Sequence, residues 1–191
     1  MTYDQFCQLV DNCEECSLFR SVHVPGVGNS NARIMFIAEA PGAVECIQKT
    51  PLVGPAGQLF RQLLAQADIP ISDVYLTNTV KCRPMSGPAN RTPLPAEVAA
   101  CAYILDAEIA MVNPQIIVCT GAVAMRAILG ITSGITQVHG TWHRLGNRDV
   151  TVIYHPSYLL RIGTDTPLGT TLANQVLSAL HQVVARANVL Q

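Results

Sequence analysis

Short apolar runs bounded by turn residues alternate along this chain with longer stretches in which apolar residues return at helical spacing. Ile34-Met-Phe-Ile-Ala38 is a run without polar interruption, closed by Glu39-Ala-Pro-Gly42. Residues 74–77, 115–119 and 150–154 repeat the pattern, the last closed by His155-Pro156. Each is short enough for a strand and apolar at consecutive positions, which predicts strands buried on both faces. Between them, Leu59, Phe60, Leu63 and Leu64 share one helical face within residues 58–67. Residues 96–112 and 122–129 also read as helices, the second closed by Gly130, and Leu172, Val176, Leu180 and Val183 are in phase along 168–188. A short helix is expected over 3–10, and Pro, Gly and Asn mark loops at 22–31, 41–57 and 81–95.

Strands alternating with helices predict an α/β fold: a three-layer α/β/α sandwich around a central four-stranded parallel sheet, in a single domain spanning 1–191. In such sheets ligands bind beyond the carboxyl ends of the strands. The segments there are Glu39–Gly42, Asn78, Thr120–Gly121 and His155–Ser157, so these polar positions are expected to meet in one cleft.

Composition narrows the functions open to such a fold. Hydrophobic residues make up 49% of the 191, enough for a closed core, and charged residues only 13%. Lys plus Arg number 12 against 13 Asp plus Glu, a net charge of −1, which excludes a polybasic binder acting through bulk charge but leaves room for a local basic patch. No apolar run approaches the roughly 18–20 residues of a membrane span, and residues 1–10 lack the plan of a signal peptide, so a cytoplasmic protein without membrane contact is expected.

Seven cysteines are many for a reducing compartment. Cys13 and Cys16 have chelating spacing, Cys82 lies in a loop between Lys81 and Arg83, and Cys101 falls early in the helix which that loop enters. Two unrelated pairs of core thiols would give the same composition. The loop placement instead suggests a tetrathiolate site, for zinc or an iron–sulfur cluster. Zinc fingers use two close pairs, whereas Cys82 and Cys101 are far apart, which favours a [4Fe–4S] cluster on an iron–sulfur loop region. Cys7, Cys46 and Cys119 are left over, Cys119 on a predicted strand.

Six ordered blocks then resemble the family 4, iron–sulfur, uracil-DNA glycosylases of the uracil-DNA glycosylase superfamily. They are Cys13-Glu-Glu-Cys16 with Val24-Pro-Gly-Val-Gly-Asn29; Ala38-Glu-Ala-Pro-Gly42; Pro51-Leu-Val-Gly-Pro-Ala-Gly57; Tyr75-Leu-Thr-Asn78 running into Lys81-Cys-Arg-Pro84; Asn90-Arg-Thr-Pro93 through Cys101; and His155-Pro-Ser-Tyr-Leu-Leu-Arg161. The resemblance implies a monomeric enzyme that flips uracil out of DNA and hydrolyses its N-glycosidic bond, with Cys13, Cys16, Cys82 and Cys101 ligating the cluster. Three positions depart from the family pattern: Ala38 stands for Gly, Cys46 for Asp, and Leu52 for a Phe that stacks on the flipped base.

Glycosidic cleavage needs the base to leave as a stabilised anion and water to capture an oxocarbenium-like sugar. His155, fixed by Pro156, suits the donor to uracil O2. Asn78 can donate to O4 and accept from N3–H, where cytosine presents the opposite pair. By resemblance Glu39 handles water, and Gly42, Glu45, Leu52 and Asn78 form the base pocket, with Glu45 near C5 of the ring. For DNA contacts, Gly54 and Gly57 open a helix, Ser157 and Arg161 flank a Tyr158-Leu159-Leu160 wedge, and Arg83 and Arg91 are expected to face phosphates. Two other readings remain: the missing aromatic at Leu52 suits a bulkier modified pyrimidine, and a scaffold that has lost turnover would be an iron–sulfur DNA-binding protein.

Overall fold

The computed structural model describes residues 1–190. In it the chain runs α1 (Tyr3–Asp11), β1 (Val27–Gly28), β2 (Ile34–Ala38), α2 (Ala43–Gln48), α3 (Pro55–Gln66), β3 (Val74–Asn78), a small hairpin of β4 (Met85–Ser86) and β5 (Ala89–Asn90), α4 (Pro95–Val112), β6 (Ile116–Thr120), α5 (Ala122–Leu129), α6 (Ile135–Val138), β7 (Trp142–Leu145), β8 (Arg148–Ile153), α7 (Pro156–Ile162) and α8 (Pro167–Val189).

The main sheet has the order β1-β3-β2-β6-β8-β7. Its four inner strands are the four apolar runs, and they are parallel. The sheet is nevertheless six-stranded, not four-stranded, because β1 and β7 pair antiparallel on its two edges. Neither edge has an apolar run to announce it. Val27–Gly28 is two residues long, and Trp142–Leu145 is polar at its centre. The loop expected over 81–95 likewise contains the β4–β5 hairpin.

Side-chain alternation along each inner strand feeds two separate cores. Phe36, Leu76, Val118 and Ile153 point to the face covered by α3, α7 and α8, where they meet Phe60, Leu64, Leu159 and Leu180. Met35, Ile37, Ile117 and Val152 point to the other face and meet Leu105, Ile109 and Met125 from α4 and α5. A third cluster, Phe6, Val10, Val80, Cys101 and Ile104, packs α1 against α4. This is the three-layer α/β/α arrangement.

The chain leaves β2 for β3 on one side and later crosses to β6 on the other. That reversal opens a crevice at the carboxyl ends, the place where α/β sheets bind ligands. Backbone bonds from Thr79 N to Ala38 O (2.8 Å) and from Gly121 N to Ile153 O (2.9 Å) hold neighbouring strand ends in register.

Candidate active site

A cavity of about 840 Å³ lies over those ends and is lined by residues at or just past the ends of all four inner strands, among them Glu39, Gly42, Asn78, Gly121 and His155. Glu39 follows Ala38, which is paired with Asn78 across the β2–β3 ladder, so these two side chains start from adjacent positions. Leu52, Gly54, Glu45, Ser157, Tyr158 and Arg161 complete the wall expected from the sequence.

Asn78 is 2% exposed. Its Nδ2 is buried and finds no hydrogen-bond partner among the described residues. Leaving such a donor unpaired costs about 1–3 kcal/mol, so a buried amide on a cavity wall marks a place where an acceptor binds.

His155 is the N-cap of α7, and its Nδ1 accepts from Ser157 N–H at 3.1 Å. An amide can only donate, so Nδ1 is the acceptor and the proton of the neutral ring sits on Nε2. Ser157 Oγ also lies 2.8 Å from Nδ1. Burial, helped by the charge of Arg161 and opposed by Glu45, pushes the His155 pKa down to about 4. The ring is therefore a neutral Nε2–H donor at physiological pH. The sequence His-Pro-Ser encodes this locally, with Pro156 at the first helical position and Ser157 supplying the amide.

Glu39 is half-buried, and desolvation raises its carboxyl above the ordinary range against the pull of Arg161 and Arg126. The loop and the start of α3 are capped by a different carboxylate. Glu45 Oε1 accepts from Val53 N (3.1 Å) and Gly54 N (2.8 Å), and Oε2 accepts from Gly42 N (3.1 Å). Glu45 thus joins two walls of the cavity, and the Gly54 amide is not free for a phosphate. Gly57 is buried with no space at its α-carbon: a Cβ there would overlap the backbone of Leu52. Its role is close packing of the loop on α3, not a DNA contact. Leu52 adopts φ 55°, is 5% exposed and shares the α3-side core with Phe60 while reaching the cavity wall.

The expected DNA-facing groups divide. Leu159 is fully buried in the core beneath the sheet, so it cannot be part of a wedge. Leu160, 41% exposed, and half-buried Tyr158 are the apolar side chains that α7 leaves available. Arg161 is exposed, with its guanidinium 5.9 Å from the Tyr158 ring centre and a long 3.5 Å contact to Ser157 Oγ. Arg91 is not a free cation. It grips Glu97 with two bonds of 2.8 and 2.6 Å and holds that carboxyl down to about 2, with the Leu94 amide and Ser17 assisting. Arg83 bonds Asn90 Oδ1 at 2.6 Å and braces the hairpin. Sequence reasoning missed Tyr154 and the Gly134–Ile135–Thr136 segment, both on the cavity wall. Tyr154 directly precedes His155 and stacks on His139 at 4.1 Å. Its place just past β8 was the available signal.

The four cysteines of the proposed metal site line a second, small cavity with Leu18, Phe19, Val80 and Ile104. Cys82 and Cys101 are buried, Cys13 and Cys16 half-buried. The Cys82 thiol is pushed up to about 12, by burial first and then by Cys101, Cys16 and Cys13, with a Ser21 hydrogen bond opposing. Four cysteines gathered round one small, mostly apolar pocket are suited to a cationic core that takes them as thiolates. Among the described residues, no three His, Cys, Asp or Glu side chains converge tightly enough to hold a single metal ion.

Comparison with known proteins agrees with this geometry. The family model of the Uracil DNA glycosylase superfamily matches residues 25–180. A type-4 uracil-DNA glycosylase of Thermotoga maritima is 44% identical over 158 residues, covering 80% of each chain. One from Archaeoglobus fulgidus is 37% identical, covering 82% of each chain. A type-5 uracil-DNA glycosylase of Pyrobaculum aerophilum is more distant, 29% identical over 220 residues. With strand ends, pocket residues and thiols arranged as above, the chain belongs to the uracil-DNA glycosylase superfamily and, within it, to the type-4 family.

Proposed function

We propose that this protein hydrolyses the N-glycosidic bond of uracil in DNA, taking the flipped nucleotide into the cavity and so initiating base excision repair. The observation that carries the reading is the pairing, on one cavity wall, of an unpartnered buried Asn78 amide with a His155 ring fixed as an Nε2–H donor. Asn78 donates to uracil O4 and accepts from N3–H. Cytosine, with its donor and acceptor reversed, leaves both groups unpaired. As the bond breaks, negative charge grows on the base, and His155 Nε2–H meets it at O2 without reorganising. Glu39, in its anionic form, orients the water that captures the sugar. Oligonucleotides containing uracil, thymine, cytosine or bulkier 5-substituted pyrimidines, incubated with the protein and then heated in alkali, test the reading. Cleavage at uracil is expected. Cleavage only at a bulkier base would show that Leu52, in place of an aromatic, has widened the pocket, and binding without cleavage would identify a DNA-binding relative.

Because His155 stays neutral down to about pH 4, the acid limb of the rate profile belongs to Glu39. Its carboxyl is raised, so activity falls as pH drops through a value above the ordinary carboxylate pKa of about 4.3. Glu39→Gln is expected to slow excision and remove that limb. A limb that survives in Glu39→Gln assigns it elsewhere.

Arg161 and Leu160 form the proposed DNA-facing edge, Arg161 holding a phosphate and Leu160 with Tyr158 filling the space left by the flipped base. Arg161→Ala is expected to weaken DNA binding and lower the slope of log K against log salt by about 1. An unchanged slope removes Arg161 from the interface.

We further assign Cys13, Cys16, Cys82 and Cys101 to a [4Fe–4S] cluster, which would clamp the N-terminal segment to the loop that carries Arg83 and Arg91. Protein purified without oxygen is expected to carry about four irons per chain and to be brown. Cys46→Ser should keep the iron, and Cys101→Ser should lose it. One zinc and no iron would overturn the assignment. Reduced thiol ligands would support a reducing, cytoplasmic setting. The cavity is complete within one chain, which supports a monomer, and one continuous sheet with helices from both ends supports a single domain over 1–191.

A further inference from the structure

One buried polar atom beside the thiols is not used by anything above. His23 pairs antiparallel with Cys82 as an isolated bridge, and the next residue, Val24, donates its amide to Lys81 O at 2.8 Å. This pairing holds the His23 side chain on the cavity that Cys13, Cys16, Cys82 and Cys101 line. The rest of that wall is Leu18, Phe19, Val80, Lys81, Ala100 and Ile104. His23 Nε2 is buried and has no hydrogen-bond partner among the described residues. An imidazole nitrogen is rarely left in that state, because a buried unpaired polar atom costs about 1–3 kcal/mol. Apart from Lys81, whose ammonium donates all three of its bonds to Thr77, Asn78 and Glu108, that wall offers apolar side chains and the four cysteine sulfurs.

We infer that His23 Nε2–H donates a hydrogen bond to sulfur of the cluster site, either a bridging sulfide or a ligating thiolate, and so sets the reduction potential of the cluster. The inference rests on the [4Fe–4S] assignment. Cluster sulfurs are acceptors only, so the bond requires the proton on Nε2. A donor at sulfur stabilises the reduced, more negative state more than the oxidised one, and hydrogen bonds of this kind are among the levers that fix cluster potentials. His23 is a positioning and tuning residue in this account. It does not touch the base or the sugar.

The test uses the whole protein, purified anaerobically, as wild type, His23→Phe and His23→Gln. Iron per chain is measured first and the reduction potential second, by titration monitored through the electron paramagnetic resonance of the reduced cluster. Expected are full iron in all three, a more negative potential in His23→Phe, and recovery towards the wild-type value in His23→Gln, which keeps a donor. Full iron with an unshifted potential in His23→Phe overturns the inference. Absence of iron from the wild type overturns the cluster assignment instead, so the two failures are distinct. If the variants lose iron, wild-type protein labelled with 15N-histidine decides the matter. Pulsed resonance of its reduced cluster should show coupling to an imidazole nitrogen and to an exchangeable proton, and the lack of both overturns the proposal.

Discussion

His155→Ala is expected to lower single-turnover uracil excision by about 10²- to 10³-fold, the loss of roughly 3–4 kcal/mol of transition-state stabilisation. DNA affinity should change little, because the neutral Nε2–H group gains its strongest partner only when charge has built up on uracil O2. The ring is already oriented by the Ser157 amide and held neutral by burial, so the wild-type enzyme does not reorganise it during the reaction. Asn78→Ala should cost a comparable factor for a different reason. It removes the donor that the cavity holds unpaired before substrate binds, and with it the advantage of uracil over cytosine. Excision under single-turnover conditions, compared with binding to a duplex whose target nucleotide cannot be cleaved, separates the two quantities. If either variant cleaves at near wild-type rate, the base lies elsewhere in the cavity. If binding falls as far as the rate, the residue supports the fold or the interface, not the transition state.

The parts of this site that were legible in the sequence are those encoded locally. Four apolar runs predicted four parallel strands, and the rule that ligands bind past strand ends led to the segments of Glu39, Asn78, Gly121 and His155, which the structure brings to one cavity. What was not legible depends on which side chain meets which across long separations. Arg91 and Arg83 look alike in sequence, yet one is gripped by Glu97 and the other braces a hairpin. Glu45 lies on the cavity wall as its place in the sequence suggested, but its oxygens are occupied by the Gly42, Val53 and Gly54 amides, which the sequence did not show. The Tyr158-Leu159-Leu160 triplet read as one apolar wedge. On a helix, successive residues turn by about 100°, so Leu159 faces the core while Leu160 faces solvent. Helix α4 was easy to find but its most consequential residue, Glu108, was not, because its partners lie in a loop, a strand and a strand end far away in sequence.

Those partners set up a large expected effect on stability. Lys81 and Glu108 are an ion pair of 2.6 Å, 1% and 0% exposed. All three donors of Lys81 Nζ are used: Thr77 Oγ1 at 2.7 Å, Asn78 O at 2.7 Å and Glu108 Oε2. Glu108 also accepts from Gly26 N (3.0 Å), Tyr75 OH (3.1 Å) and Thr77 Oγ1 (2.7 Å). Gly26 is required here, since any Cβ would overlap the Glu108 carboxylate. Removing one member of a saturated buried pair strands the other charge, so Lys81→Met is expected to destabilise by about 3–5 kcal/mol. For a chain of this length that is a fall in Tm of roughly 6–20 °C, read by anaerobic thermal melts. Glu108→Gln, which keeps the shape but strands the lysine, should cost a similar amount. The double variant Lys81→Met/Glu108→Gln contains no stranded charge and keeps an acceptor for the Gly26 and Tyr75 donors, so it should be more stable than either single one. Simple additivity of the two losses would mean that the pair is not coupled and that each residue acts through packing alone. Because Lys81 Nζ also bonds the Asn78 carbonyl, the restored double variant should still excise uracil more slowly than wild type, with the base-reading side chain less firmly placed at the strand end.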